Sequence, residues 1–341
     1  MPRTPLPADW ADLTDEELLN LRLCDLPLRI ENELAERTEQ LRSELDSAGL
    51  RAQVHFYLSD EWFTPDGATA IAIPFYLAHP RLAKLEEAQM LEVEGGEYEW
   101  CMRILRHEAG HAIDNAFKLR LRRQRRKVFG SYKKPYPESY TPRPYSKSFV
   151  LHLDAWYAQS HPDEDFAETF AAWLTPSSEW RQRYQGWPAL KKLEYMEALM
   201  RSVRGKAARV DNPDEVDPLR RLRKTLRQHY RLKRRHYGVD YPNFYDRDLR
   251  RLFSDAPEFA DAMPAAQFIN RIRRSVRRAV SGWTGIYQYT IDQVLEDMIA
   301  RCQELGLRLA VPEEEARLEF TALLTARTMI HLQLGRDRVP L

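Results

Sequence analysis

The chain has 341 residues, 43% hydrophobic and 30% charged, which suits about two or three globular domains with sizeable cores. A formal net charge of +1 excludes a strong overall pull toward polyanions, and three scattered cysteines exclude a disulfide framework and a Cys-ligated metal. With 13 glycines and long runs of Leu, Glu and Arg the chain leans to helix. It carries neither an apolar signal segment at MPRTPLPADWADLTDEELLN nor a stretch of transmembrane length, so the expected location is cytoplasmic, with no membrane partner.

Thr14-Asp15-Glu16-Glu17 reads as a capping box opening a short helix, and Ile30 to Leu45 as an amphipathic helix ended near Gly49. Residues 1–52 are thus expected to be an N-terminal helical segment. Gln53 to Ser59 alternates in the strand manner, Val54, Phe56 and Leu58 against His55 and Tyr57. After the turn Thr64-Pro65-Asp66-Gly67, Thr69 to Phe75 reads as a second strand. Its Pro74 suits a sheet edge, where free backbone groups can take up an extended peptide.

Pro80 to Leu91 reads as a helix broken by Gly95-Gly96. Trp100, Ile104, Leu105, Ala109, Ile113, Ala116 and Phe117 then recur at helical spacing, predicting one amphipathic helix from Tyr98 to about Val128. Its end, Arg120 to Lys127, suits a helix C-terminus and reads as an exposed positive patch. Cys101 reads as a packing residue rather than a nucleophile.

This helix contains Arg106-His107-Glu108-Ala109-Gly110-His111. At about 3.6 residues per turn, histidines at i and i+4 share a face, where each can give a nitrogen to one tetrahedral Zn²⁺. Glu108 then lies beside the metal, free to take a proton. In such an H-E-x-x-H arrangement zinc polarises a carbonyl and lowers the pKa of bound water to about 7.

Between Gly130 and Lys147 the chain is rich in Pro and Tyr, including Tyr132, Tyr136, Tyr140 and Tyr145, as a lid, a binding rim or a stiff surface connection would be. A second motif follows, His161-Pro162-Asp163-Glu164-Asp165-Phe166-Ala167-Glu168-Thr169-Phe170. Pro162 suits a helix start, three acids fill the first turn, and Thr175-Pro176 stops it. Glu164 and Glu168 share one face. A catalytic zinc needs a third protein ligand and an open position, and this helix offers the best carboxylates for it.

Further on, Lys191 to Arg204 reads as a helix and Asn212 to Pro218 as a linker. Leu219–Tyr237, Phe268–Val280, Ile291–Cys302 (ended by Gly306) and Glu313–Leu332 read as further helices. Their arginines are either a surface for an acidic partner or solvated faces paired with the many acids, and near-neutral charge favours the second. Tyr237, Tyr241, Phe244 and Tyr245 interleave with these charges as a basic-aromatic rim would; no nucleic-acid motif is present. The expected fold class is α+β and predominantly helical, with a core over residues 53–190 and a helical, Arg-rich domain over 191–341.

Together, HFYLSDEWFTPDG, AIAIPFYLAHPRL, LRHEAGH and HPDEDFAETFAAWL resemble the zinc-binding metallopeptidases of bacteria, within the gluzincin set that includes anthrax lethal factor and Pro-Pro endopeptidases. The resemblance covers about residues 53–175. It implies a zincin-like core with a small sheet, Zn²⁺ as cofactor, and hydrolysis of a peptide or isopeptide bond in a peptide or protein substrate. It also implies Glu164 as third ligand beside His107 and His111, and Glu108 as general base. Glu168 would be an outer acceptor orienting a ligand histidine, and Tyr157, seven residues before Glu164, an oxyanion donor. Glu168 remains the second choice for the third ligand, ahead of His161, Asp163 and Asp165. A rival expectation is a non-catalytic or regulatory zinc module that binds an acidic partner through the C-terminal helices.

Overall fold

The computed structural model describes residues 10–137, 139–140, 142–143, 146–237, 245–333 and 339–340. Tyr145, Tyr241 and Phe244 from the aromatic stretches lie outside them. In chain order the helices are α1 (Asp15–Leu19), α2 (Asn32–Ser47), α3 (Pro80–Met90), α4 (Tyr98–Phe117), α5 (Arg123–Phe129), α6 (Pro162–Leu174), α7 (Trp180–Arg183), α8 (Ala189–Val203), α9 (Leu226–Tyr237), α10 (Asp246–Leu252), α11 (Ala265–Thr284), α12 (Gln288–Glu304) and α13 (Glu313–Gln333). The strands are β1 (His55–Ser59), β2 (Ala70–Pro74), β3 (Ser139–Tyr140), β4 (Phe253–Ser254), β5 (Arg308–Leu309) and β6 (Val339–Pro340). The described chain is predominantly helical with a small parallel two-stranded sheet, β1 beside β2. It divides into two units: one of residues up to 137 and 142–232, the other of 139–140 and 233–340. No described helix is long and apolar enough to cross a membrane.

In the first unit the capping box forms as expected. Thr14 N–H donates to Glu17 Oε2 at 2.8 Å and Glu17 N–H donates to Thr14 Oγ1 at 3.3 Å. α2 is joined to α4 by a buried bidentate pair, Arg106 to Glu44, with both bonds at 2.8 Å. The parallel register sets His55 against Ala70 and Ser59 against Pro74. All five residues of β2 are buried, and its outer edge is not free at its centre, because Ala72 N–H donates to Phe63 C=O at 2.8 Å. The expected open edge for an extended peptide is therefore closed there by the chain's own segment.

The expected single helix from Tyr98 to Val128 is two. Lys118 takes a left-handed conformation, φ 53°, capping α4 after Phe117 and turning the chain through Leu119–Leu121 into α5. The turn lets the basic segment fold back. Arg120 N–H meets Asp114 Oδ1 at 2.6 Å, and Arg125 is fully buried between Asp114 and Asp163. Arg125 is thus not part of an exposed patch. It ties α4 and α5 to the first turn of α6, and removing one partner of such a buried pair costs about 3–5 kcal/mol.

The segment expected as a linker is a strap across the sheet. Thr69 N–H donates to Asn212 C=O at 2.7 Å, Tyr57 Oη to Val216 C=O at 3.0 Å and Ser59 Oγ to Asp217 C=O at 2.7 Å. Beyond it, Leu222 and Lys224 carbonyls receive Cys24 and Leu23 N–H, at 2.9 and 3.0 Å, so residues up to this point complete the N-terminal half. A cut at Asn212 removes part of the sheet's support.

In the second unit α10 to α13 enclose an apolar core that includes Leu249, Phe253, Phe268, Ile269, Leu295 and Phe320. Six of its arginines are paired with acids on the same unit. Arg273 and Arg277 share Asp292, Arg273 also meets Glu296 at 2.8 Å, and Arg250, Arg271, Arg301 and Arg327 meet Asp255, Glu313, Glu304 and Asp248.

Candidate metal centre

α4 and α6 cross where Gly110 meets Ala167. A Cβ built on Gly110 would stand 2.8 Å from Ala167 Cα and 3.2 Å from its carbonyl oxygen. Only glycine permits that approach. Helix propensity alone would favour alanine by about 1 kcal/mol, but the clash is with backbone that cannot rotate away. Gly110→Ala is therefore expected to destabilise the fold by roughly 1–3 kcal/mol and to weaken metal binding. Urea unfolding and metal titration check both, and a stabilised variant with unchanged affinity would contradict the close crossing.

This crossing brings both motifs together. Nε2 of His107 and Nε2 of His111 lie 3.3 Å apart, and Glu164 Oε2 is 2.9 Å from the first and 3.1 Å from the second. Tetrahedral donors about 2.0–2.1 Å from zinc stand roughly 3.3–3.4 Å apart, so the three atoms need only spread by tenths of an ångström. These three residues are the one group among the described residues with the spacing to hold a metal ion. The donor set also fits chemically. His107 is 2% exposed and Glu164 5%, so Glu164, Glu168 and Glu108 concentrate negative charge in a dry place.

Protons answer that charge in the metal-free chain. Burial alone would lower His107, but hydrogen bonds to Glu164 and Glu168 hold its pKa well above the ordinary 6.5. His111 is raised against its own burial, chiefly by the charge of Glu164. Glu164, which burial would raise, is held well below the usual carboxylate range by the two imidazoles.

The remaining candidates fall into distinct places. Glu108 is 7% exposed, and its Oε2 accepts the Thr64 hydroxyl at 2.8 Å. Thr64 sits in the turn after β1, which Asn115, one turn beyond His111, pins through the carbonyls of Pro65 and Ala68 at 3.1 and 2.8 Å. Glu168 Oε1 faces Nδ1 of His107 at 2.8 Å, on the far side of the ring from Glu164, while its Oε2 accepts Leu153 N–H at 2.9 Å. It has the placing of an acceptor that orients a ligand histidine. The weaker alternatives face elsewhere. Asp163 pairs with Arg125 and Asp165 with Lys192, and His161 accepts Asp163 N–H as the N-cap of α6.

Tyr157 stands beside the centre, its ring edge-on to His107 at 5.4 Å. Ala155 and Trp156 before it both have φ of 54°, a left-handed pair costing about 1–2 kcal/mol per residue. The sequence did not single out two neighbours of the centre. Thr64 lies 44 residues from Glu108, and Tyr136 donates to Glu164 Oε1 at 2.7 Å across 28 residues. Neither has a sequence signal beyond the tyrosine-rich character of the 130–147 loop.

Behind Glu168 lies His152, which donates Nε2–H to Arg103 C=O at 2.9 Å and is buried. Burial holds its pKa down at about 4 against 6.5 unfolded. A histidine so depressed contributes stability above pH 6.5 that is lost as pH falls toward 4. Between pH 7 and 5 the loss is about 2 kcal/mol. His152→Gln, which keeps a donor for Arg103, is expected to shrink the acid-induced loss in urea unfolding by that amount; equal losses would contradict the depressed pKa.

Comparison with known proteins found no match among curated proteins and none among solved structures. Residues 87–182 match the family described as "Putative zinc-binding metallo-peptidase". That span contains α4, α6 and every residue of the His107, His111 and Glu164 cluster.

Proposed function

We propose that the chain is a zinc-dependent peptidase with a zincin-like core, hydrolysing a peptide or isopeptide bond, and that it works in the cytoplasm. The observation that carries this reading is the meeting of His107, His111 and Glu164 donors within 3.3 Å, with the Glu108 carboxylate on the next position of the same helix. In this reading His107, His111 and Glu164 hold zinc, and Glu168 and Leu153 N–H fix the ring of His107. Bound zinc supplies a Lewis acid that acidifies water and polarises a carbonyl. Glu108 takes the proton and passes it to the leaving amine. Thr64, by donating to Oε2, leaves Oε1 of Glu108 for that proton. Tyr157, beside His107, donates to the oxyanion. The three free cysteines accord with a reducing compartment.

The test is zinc content per chain together with cleavage of a peptide library, before and after chelation. One zinc per chain and cleavage that chelation removes and zinc restores are expected. A chain without zinc after metal-replete purification ends this reading.

A further inference from the structure

The two carboxylate oxygens of Glu164 have different neighbours. Oε2 faces Nε2 of both His107 and His111, whereas Oε1 accepts a hydrogen bond from the Tyr136 hydroxyl at 2.7 Å. Tyr136 reaches this place on a loop tied to the first turn of α6. Its ring stacks on His161 with centroids 3.8 Å apart and planes 22° apart. His161 is fixed at both nitrogens: Nδ1 accepts Asp163 N–H at 3.1 Å, and Nε2 donates at 3.0 Å to the carbonyl of Lys134, two residues before Tyr136. Loop, cap and ligand helix therefore hold the phenol against one oxygen.

Packing does not account for this tyrosine. It is 51% exposed while the carboxylate it meets is 5% exposed, so the ring gains little burial and is placed by its two directed contacts.

We propose that Tyr136 is a positioning residue that makes Glu164 a one-oxygen metal ligand. The proposal rests on Glu164 being a ligand. With Oε1 committed to the phenol, only Oε2 is offered between the histidines, which keeps a coordination position open for water or substrate. Without the phenol, Oε1 is free to turn into the same space, and the carboxylate either takes up that position or swings away from the histidines.

The experiment uses Co²⁺ in the full-length protein, because its visible bands weaken as coordination number rises. Tyr136→Phe keeps the ring and its stack on His161 and removes only the hydroxyl. Tyr132→Phe, on the same loop, is the control. Tyr136→Phe is expected to bind Co²⁺ about 10- to 100-fold more weakly, with weakened and shifted bands, while Tyr132→Phe matches wild type. Wild-type affinity and spectrum in Tyr136→Phe would overturn the proposal and leave the metal centre standing. Equal loss in both variants would overturn it as general loosening of the loop. A wild type that takes up no Co²⁺ would overturn the centre and the proposal together.

Discussion

Glu108→Gln is expected to bind zinc at wild-type stoichiometry and to hydrolyse peptide about 10²- to 10⁴-fold more slowly. The substitution keeps shape and one carbonyl oxygen, so the Thr64 hydroxyl, 2.8 Å from Oε2 in the native residue, retains an acceptor. The bonds that set the ligand triangle run between Glu164, His107 and His111 and do not include Glu108. What glutamine lacks is a site for the proton. Zinc analysis and kcat on the best library peptide separate the two effects. Full activity would remove Glu108 from the mechanism, and lost zinc would make it part of the metal cradle instead.

Glu164→Ala is the second large effect. Structural zinc binding of roughly 10–16 kcal/mol spread over four ligands gives about 2.5–4 kcal/mol per ligand, hence a loss of roughly 10²- to 10³-fold in affinity. Glu168→Ala, removing only the partner of Nδ1, is expected to lose about 10- to 100-fold. Reversal of that order would make Glu168 the third ligand.

The same centre sets the sign of the pH dependence. With its pKa held above the ordinary 6.5, His107 keeps its proton to higher pH than a free imidazole does, and metal competes with that proton. Affinity therefore falls as pH falls, and binding releases protons. Titration calorimetry in buffers of different ionisation enthalpy reads this directly.

Local spacing made much of the centre legible. His107 and His111 share a face because the residues around them are helix-forming over the whole stretch. Pro162 and the following acids mark the start of α6, so Glu164 and Glu168 could be placed on one face before any contact was known. The capping box at Thr14 is likewise a matter of four consecutive residues. The break after Phe117 was not legible, because Lys118 adopts a left-handed conformation with no glycine to announce it, and Arg125 then pairs with acids on two other elements. The strap at 212–217 read as a linker because Pro, Asn and Asp mark irregular backbone equally well whether it is solvated or bonded to a strand edge.

The sequence by itself determined which donor residues stand on two helices, their facing, and the carboxylate beside them, since each follows from residue identity and the period of a helix. Only the tertiary structure decided that Glu164 rather than Glu168 closes the triangle, that Thr64 holds Glu108, and that Tyr136 holds the other oxygen of Glu164. Those relations join residues tens of positions apart, and they depend on how closely α4 and α6 cross, a distance set by Gly110 against the backbone of Ala167.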